Sequence, residues 1–207
     1  MQFFLVNNPI LAAYPGPLSW KNAPVSFRIL GGDSIAIESG PATDWFVDPV
    51  DVNWDKDSAP CALFTPPDRE FLFSAKVKVP FASMFDAGTI HLRVGEKLWG
   101  KLCFEFSPQG KPTVVSVVTH GKSDDCNGPT IDGNEVYLRV AVTPGSIAFH
   151  YSTDGAFWNM ARFFTLGDHT GMRVGLSAQS PCGKGCEAVF SEIRYRAGRL
   201  SDNRSGE

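Results

Sequence analysis

A chain of 207 residues with 43% apolar and 20% charged side chains has a globular balance and is long enough to bury a two-sheet core, which excludes a disordered tract. The formal charge of -3, with basic residues scattered singly, leaves no broad positive surface for a phosphate backbone, so nucleic acid is not an expected partner. No apolar run approaches the roughly eighteen residues of a membrane span, and an odd set of five cysteines is not a disulfide scaffold, so no membrane association and a cytoplasmic location are expected.

The chain opens on Met1-Gln-Phe-Phe-Leu-Val, which lacks a basic beginning and is stopped by Asn7, Asn8 and Pro9, a poor signal peptide. From Pro15 to Asn22 the prolines predict a turn and irregular segment around Trp20. Phe27–Leu30 and Ser34–Glu38 read as a hairpin turned at Gly31-Gly-Asp33. After Asp44-Trp-Phe46, the aspartates and prolines up to Pro67 predict a long loop or short edge segment, either the rim of a site or a solvated connection pinned by Trp54 and Phe64.

Glu70–Val79 reads as a strand with Phe71, Phe73, Ala75, Val77 and Val79 on its core face. A meander follows. Thr89–Val94 alternates apolar and polar residues, Gly95-Glu-Lys turns, Leu98–Phe106 alternates again, Pro108-Gln-Gly110 turns, and Thr113–Thr119 is a valine-rich third strand. His120–Pro129 reads as a loop. Glu135–Val142 and Ser146–Ser152 form a further pair turned at Pro144-Gly145, Phe163–Leu166 is a short strand or helical turn, and Met172–Gln179 and Ala188–Tyr195 close the fold. With no helix-period segment for crossovers, the expected architecture is all-β: a two-sheet antiparallel jelly-roll sandwich forming one domain over residues 1–200, with a mobile polar tail at 201–207.

Asp44-Trp-Phe46, Phe85-Asp-Ala-Gly88 with Leu92-Arg-Val94 and Trp99, Val115–Ser123, Val136–Val140, Tyr151–Trp158 and Arg173-Val-Gly175, in this order, resemble the DUF1349 family. That family includes a fungal protein named for regulation of enolase. The resemblance runs from about Trp20 to Tyr195 and implies a concanavalin A-like sandwich, without carrying over a reaction.

If Ile90, Leu92, Val94, Leu102, Phe104 and Phe106 face the core, the opposite face exposes His91, Arg93, Trp99, Lys101, Cys103 and Glu105. Ser116, Val118 and His120, or their alternates Val117 and Thr119, extend that sheet, and Arg139, His150 and Ser152 are the outward residues of later strands that could converge on a concave face. Such a surface suits a carbohydrate or sugar-derived metabolite: Trp99 stacks, Arg93, Lys101 and Glu105 orient hydroxyls, and Trp45 and Asp86 narrow the site. The rival expectation is a protein-interaction module acting on a metabolic partner.

Glycoside hydrolysis is the weaker alternative, because it needs two carboxylates and no Glu-x-Asp-x-Glu strand is present. Glu105 would have to pair across space with Asp44, Asp86 or another loop carboxylate. Ser152–Trp158 is read as an Asp-Gly turn with a packed tryptophan, Cys182-Gly-Lys-Gly-Cys186 as a hairpin turn with reduced thiols, and Asp124-Asp-Cys-Asn127 as a solvated loop. Without a serine elbow, Walker loop, dinucleotide fingerprint or metal-ligand set, no catalytic residue, metal or cofactor is expected.

Overall fold

The computed structural model describes residues 11–207. The apolar opening segment, with its signal-peptide expectation, lies outside them. Sixteen strands form among the described residues: β1 (Ser19–Lys21), β2 (Ser26–Gly31), β3 (Ser34–Ser39), β4 (Trp45–Val47), β5 (Asp55–Asp57), β6 (Cys61–Phe64), β7 (Phe71–Lys78) and β8 (Ala87–Gly95) come first. β9 (Leu98–Phe106), β10 (Pro112–His120), β11 (Lys122–Thr130), β12 (Glu135–Val142), β13 (Ile147–Ser152), β14 (Asn159–Phe164), β15 (Arg173–Gln179) and β16 (Cys186–Ala197) complete the set. The front sheet runs β1-β6-β15-β8-β9-β10-β11, the back sheet runs β14-β13-β12-β7-β16-β3-β2, and β4 and β5 make a separate hairpin. All pairings are antiparallel, as the two-sheet jelly-roll expectation requires. No helix among the described residues is long and apolar enough to cross a membrane.

The period-two strands bury the expected faces. Ile90, Leu92, Leu102 and Phe104 of the front sheet meet Phe73, Val77, Leu138, Phe149 and Phe190 of the back sheet in one apolar core. Phe64 packs edge-on against Tyr14 at 5.0 Å and Phe73 at 5.4 Å, linking the sheets through aromatic contacts. Val94 and Phe106 are only half-buried at the strand ends.

Three segments differ from expectation. Cys61-Ala-Leu-Phe64 is an inner strand between β1 and β15, buried on both faces, rather than part of a loop. A strand covered on both sides has no polar alternation to reveal it, and the flanking prolines disguise it further. Ser19–Lys21 is a short edge strand rather than an irregular segment. His120–Pro129 holds β11, the other edge of the front sheet, which among the described residues pairs with β10 alone and is mostly exposed. Its Pro129 is tolerated because an edge strand has a free side, and Gly128 lies where a Cβ would come within 2.8 Å of the Val114 carbonyl oxygen.

The Cys182–Cys186 segment is a turn with both thiols free, Cys182 exposed and Cys186 buried. Asp154 organises its own turn by accepting from the amides of Ala156 at 2.8 Å and Phe157 at 2.9 Å.

Among the glycines of the front-sheet strands, Gly175 on β15 has the least room, since a Cβ built there would stand 1.8 Å from the Ala62 carbonyl oxygen on β6. Gly175→Ala therefore forces a backbone shift, and urea denaturation should show a loss of about 3 kcal/mol. An unchanged midpoint would mean that β6 and β15 can separate freely.

Candidate functional site

Strand pairing sets the site. In β8 and β9, Arg93 lies opposite Trp99, His91 opposite Lys101, Thr89 opposite Cys103 and Ala87 opposite Glu105. Across β15, Arg173 lies opposite Arg93, Ser177 opposite Thr89 and Gln179 opposite Ala87. On β10 the outward residues are Val115, Val117 and Thr119, which resolves the register between the two sets of alternates.

This face is not exposed, as the sequence pattern implied it would be. The β4–β5 hairpin crosses it and seats Trp45, itself fully buried, on the sheet. The Trp45 ring stands 4.7 Å from His91, whose ring lies 5.4 Å from Trp99, and the Arg93 guanidinium carbon is 5.2 Å from the Trp45 ring centroid. Trp45 Nε1 donates to the Ser177 hydroxyl at 3.0 Å, and the Val47 amide donates to the Ser123 hydroxyl at 2.9 Å. With Val47, Cys61, Leu63, Trp99, Cys103, Val115 and others, Trp45 forms a second apolar cluster. It is Trp45 that pins this segment; Trp54 is 38% exposed near the hairpin tip.

Polar groups lie inside this covered layer. Lys101 Nζ, buried, donates to Gln179 Oε1 at 2.9 Å and to Asp44 Oδ1 at 3.2 Å. Burial opposes its charge, but Asp44 above all outweighs that cost and holds the ammonium's pKa above the usual lysine value. Burial pushes Glu105 up to about 8, against the pull of Lys101, with Asp125 and Asp44 adding to the rise. Burial also drives His91 well below its ordinary value, helped by Arg93 and Lys101, so its ring is neutral near pH 7. Among the described residues, neither ring nitrogen of His91 has a hydrogen-bond partner, nor do Thr89 Oγ1 and one terminal nitrogen of Arg93.

Of the ten residues expected at the site, Trp45, His91, Arg93, Trp99, Lys101 and Glu105 share this layer. Asp86 serves the adjoining turn instead: its carboxylate accepts from the Ala82 and Ser83 amides at 3.1 and 2.8 Å and from the Ser180 hydroxyl at 2.6 Å. His120 is exposed at the end of β10, opposite Leu98, with Nε2 at 3.2 Å from the Thr165 carbonyl oxygen.

Arg139 and His150 do not converge with the others, because they pair with each other on the back sheet. Arg139 lies 4.2 Å from the Trp158 ring and donates to the Gly206 carbonyl at 2.8 Å, while His150 Nε2 donates to the Asn203 carbonyl at 2.7 Å. The 201–207 segment thus lies against that sheet's outer face. Ser177 and Gln179, absent from the expected set, are legible only once β15 is known to border β8.

Two open depressions lie elsewhere. One of about 310 Å³ lies between Thr65–Arg69 and Asp168–Met172, and one of about 380 Å³ lies between Trp158 and Arg204; neither holds any of the ten residues.

A family model described as "Protein of unknown function (DUF1349)" matches residues 20–197. The chain belongs to the DUF1349 family. Among curated proteins, none matches its sequence. A solved structure of a functionally unknown protein from Saccharomyces cerevisiae is 25% identical, with a TM-score of 0.79 over 88% of this chain and 97% of that one. The GH43 BlXynB protein from Bacillus licheniformis is 16% identical with a TM-score of 0.63, matching 82% of this chain but 38% of its own. Xylan β-1,4-xylosidase from Bacillus halodurans C-125 is 13% identical with a TM-score of 0.62, matching 95% of this chain and 40% of its own. The DUF1349 chain therefore shares a sandwich fold with less than half of each enzyme, and at these identities the likeness concerns the fold.

The raised Glu105 gives the DUF1349 chain a pH signature. Folded Glu105 keeps its proton up to about pH 8, whereas the unfolded chain releases it near the ordinary 4.5, so this contribution to stability is full below 4.5 and declines up to the folded value. His91 and His150, both lowered in the fold, oppose that trend only below the ordinary 6.5. Between about pH 6.5 and 8, urea stability should fall by roughly 1–2 kcal/mol from this group, and Glu105→Gln should flatten that slope. An equal slope in the variant would show that Glu105 is ionised throughout.

Proposed function

We propose that the protein is a non-catalytic binding module that takes a carbohydrate or sugar-derived metabolite on the outer face of the front sheet, beneath the β4–β5 hairpin. The observation that carries this reading is the line Thr89, His91, Arg93 on β8, which holds buried polar atoms without partners among the described residues, with His91 against the rings of Trp45 and Trp99 and Arg93 over Trp45. Buried polar groups are nearly always hydrogen-bonded, and a line of donors and acceptors along an aromatic wall matches the alternating hydroxyls and apolar face of a pyranose. The ligand displaces Trp45, so apparent affinity is scaled by the fraction of molecules with the hairpin lifted. The five free thiols suit a reducing compartment such as the cytoplasm.

A second reading, a protein-interaction module acting on carbohydrate metabolism, draws on the hairpin tip, where Val50 is 86% and Val52 78% exposed. Glycoside hydrolysis draws less support: Glu105 has the raised pKa of an acid, but Asp44 is bound to Lys101 and Asp86 to its own turn.

Heteronuclear NMR of the labelled chain, titrated with a panel of neutral and acidic oligosaccharides, tests the binding reading. Saturable shifts centred on Thr89, His91, Arg93 and Trp99 are expected. Ser177→Ala, which frees the Trp45 indole, should tighten binding roughly fivefold by making the hairpin easier to lift. Silence across the panel in both proteins, or shifts confined to Val50, Val52 and Trp54 with a protein partner, would overturn it.

A further inference from the structure

The hairpin is held to the front sheet by ion pairs that all run in one direction. Asp44 pairs with Lys101 at 3.2 Å, Asp57 with Arg93 at 3.2 Å and Lys21 at 3.4 Å, and Asp55 with Lys97. Every acid belongs to the hairpin or the residue just before it, and every base belongs to the sheet or its edge turn. No reversed pair joins the two among the described residues.

Arg173 extends the basic row. It lies directly across from Arg93 on β15, donates to the Ser19 hydroxyl and, at 3.1 Å, to the Leu63 carbonyl, and has no carboxylate partner among the described residues. Basic side chains therefore gather on this one face of a chain whose formal charge is -3. Below them lie the unpartnered nitrogens of the buried His91 and the ring of Trp99.

We propose that the acidic hairpin stands in for an anionic ligand, and that the face it covers takes an oligosaccharide of uronic acid residues when the hairpin lifts. This inference rests on the binding reading above and adds the ligand's charge and the means of its exclusion. The carboxylates of the sugar replace Asp44, Asp55 and Asp57 on Lys101, Lys97, Arg93 and Lys21, and Arg173 supplies a guanidinium that the hairpin leaves free for the first contact. The pyranose ring takes the place of the Trp45 indole against His91 and Trp99, and its hydroxyls meet the His91 nitrogens and the Thr89 hydroxyl. Glu105 keeps its proton near neutral pH and adds no opposing charge there. An acidic peptide would match the cations but would not offer a ring face with hydroxyls to the aromatic and histidine layer.

The test is calorimetric titration of the full chain with a trigalacturonate, with galactotriose as its neutral counterpart, and with triglutamate. It is run on the wild type and on an Asp55→Asn/Asp57→Asn variant, whose altered groups are partly solvent-exposed and leave the core untouched. The expected result is preference for trigalacturonate, affinity about tenfold higher in the variant, and loss of binding as salt rises from about 0.05 to 0.5 M. Arg173→Gln should weaken the wild-type interaction.

If galactotriose binds as well as trigalacturonate, the charge inference falls while the carbohydrate reading stands. If neither sugar binds either protein, both fall. If triglutamate matches the acidic sugar, the face selects charge alone and the uronate assignment is overturned.

Discussion

The ammonium of Lys101 sits beneath a layer of aromatic side chains, where an uncompensated charge would cost several kcal/mol. Gln179 at the end of β15 and Asp44 at the start of the hairpin both reach it, so one buried cation ties together two sheet strands and the segment that covers them. Trp45 follows Asp44 directly, and its amide donates to the same carboxylate oxygen at 2.7 Å. The charge thus helps fix where the indole lands. From there follow the stack on His91 and Trp99, the burial of Glu105 and the closure of the face.

The front sheet is consequently covered twice, by the back sheet on one side and by the hairpin on part of the other. This double cover explains both what the amino-acid pattern reveals and what it conceals. β7, β8 and β9 are legible because polar residues alternate with a consistent apolar set, and the Phe71, Phe73, Ala75, Val77, Val79 face is buried as the pattern requires. β6 is concealed because both of its faces are apolar, and β11 because almost nothing on it is buried. Periodicity reports the contrast between two faces of a strand, and neither of these strands has much contrast.

The candidate site shows the same division. That His91, Arg93, Trp99, Lys101 and Glu105 share a face follows from alternation on two adjacent strands joined by a tight turn. Arg139 and His150 alternate just as clearly, but alternation does not say which sheet a strand joins, and theirs is the back sheet. The hairpin's role was hidden for a different reason. Its aspartates and prolines mark a solvated connection, and only the pairing of those acids with bases distant in sequence shows that the connection folds inward.

The edges of the front sheet carry a consequence for behaviour at high concentration. A long apolar edge strand is a template for pairing with another molecule and for filament growth. One edge here is the three-residue β1, which ends at Lys21; the other is β11, which carries Lys122, Asp124, Asp125 and Pro129. A second molecule approaching β11 edge to edge would have to strip water from these charges and would meet a residue with no amide hydrogen to share. The same polarity that makes β11 look like a loop therefore discourages end-to-end polymerisation through this sheet and favours colloidal stability.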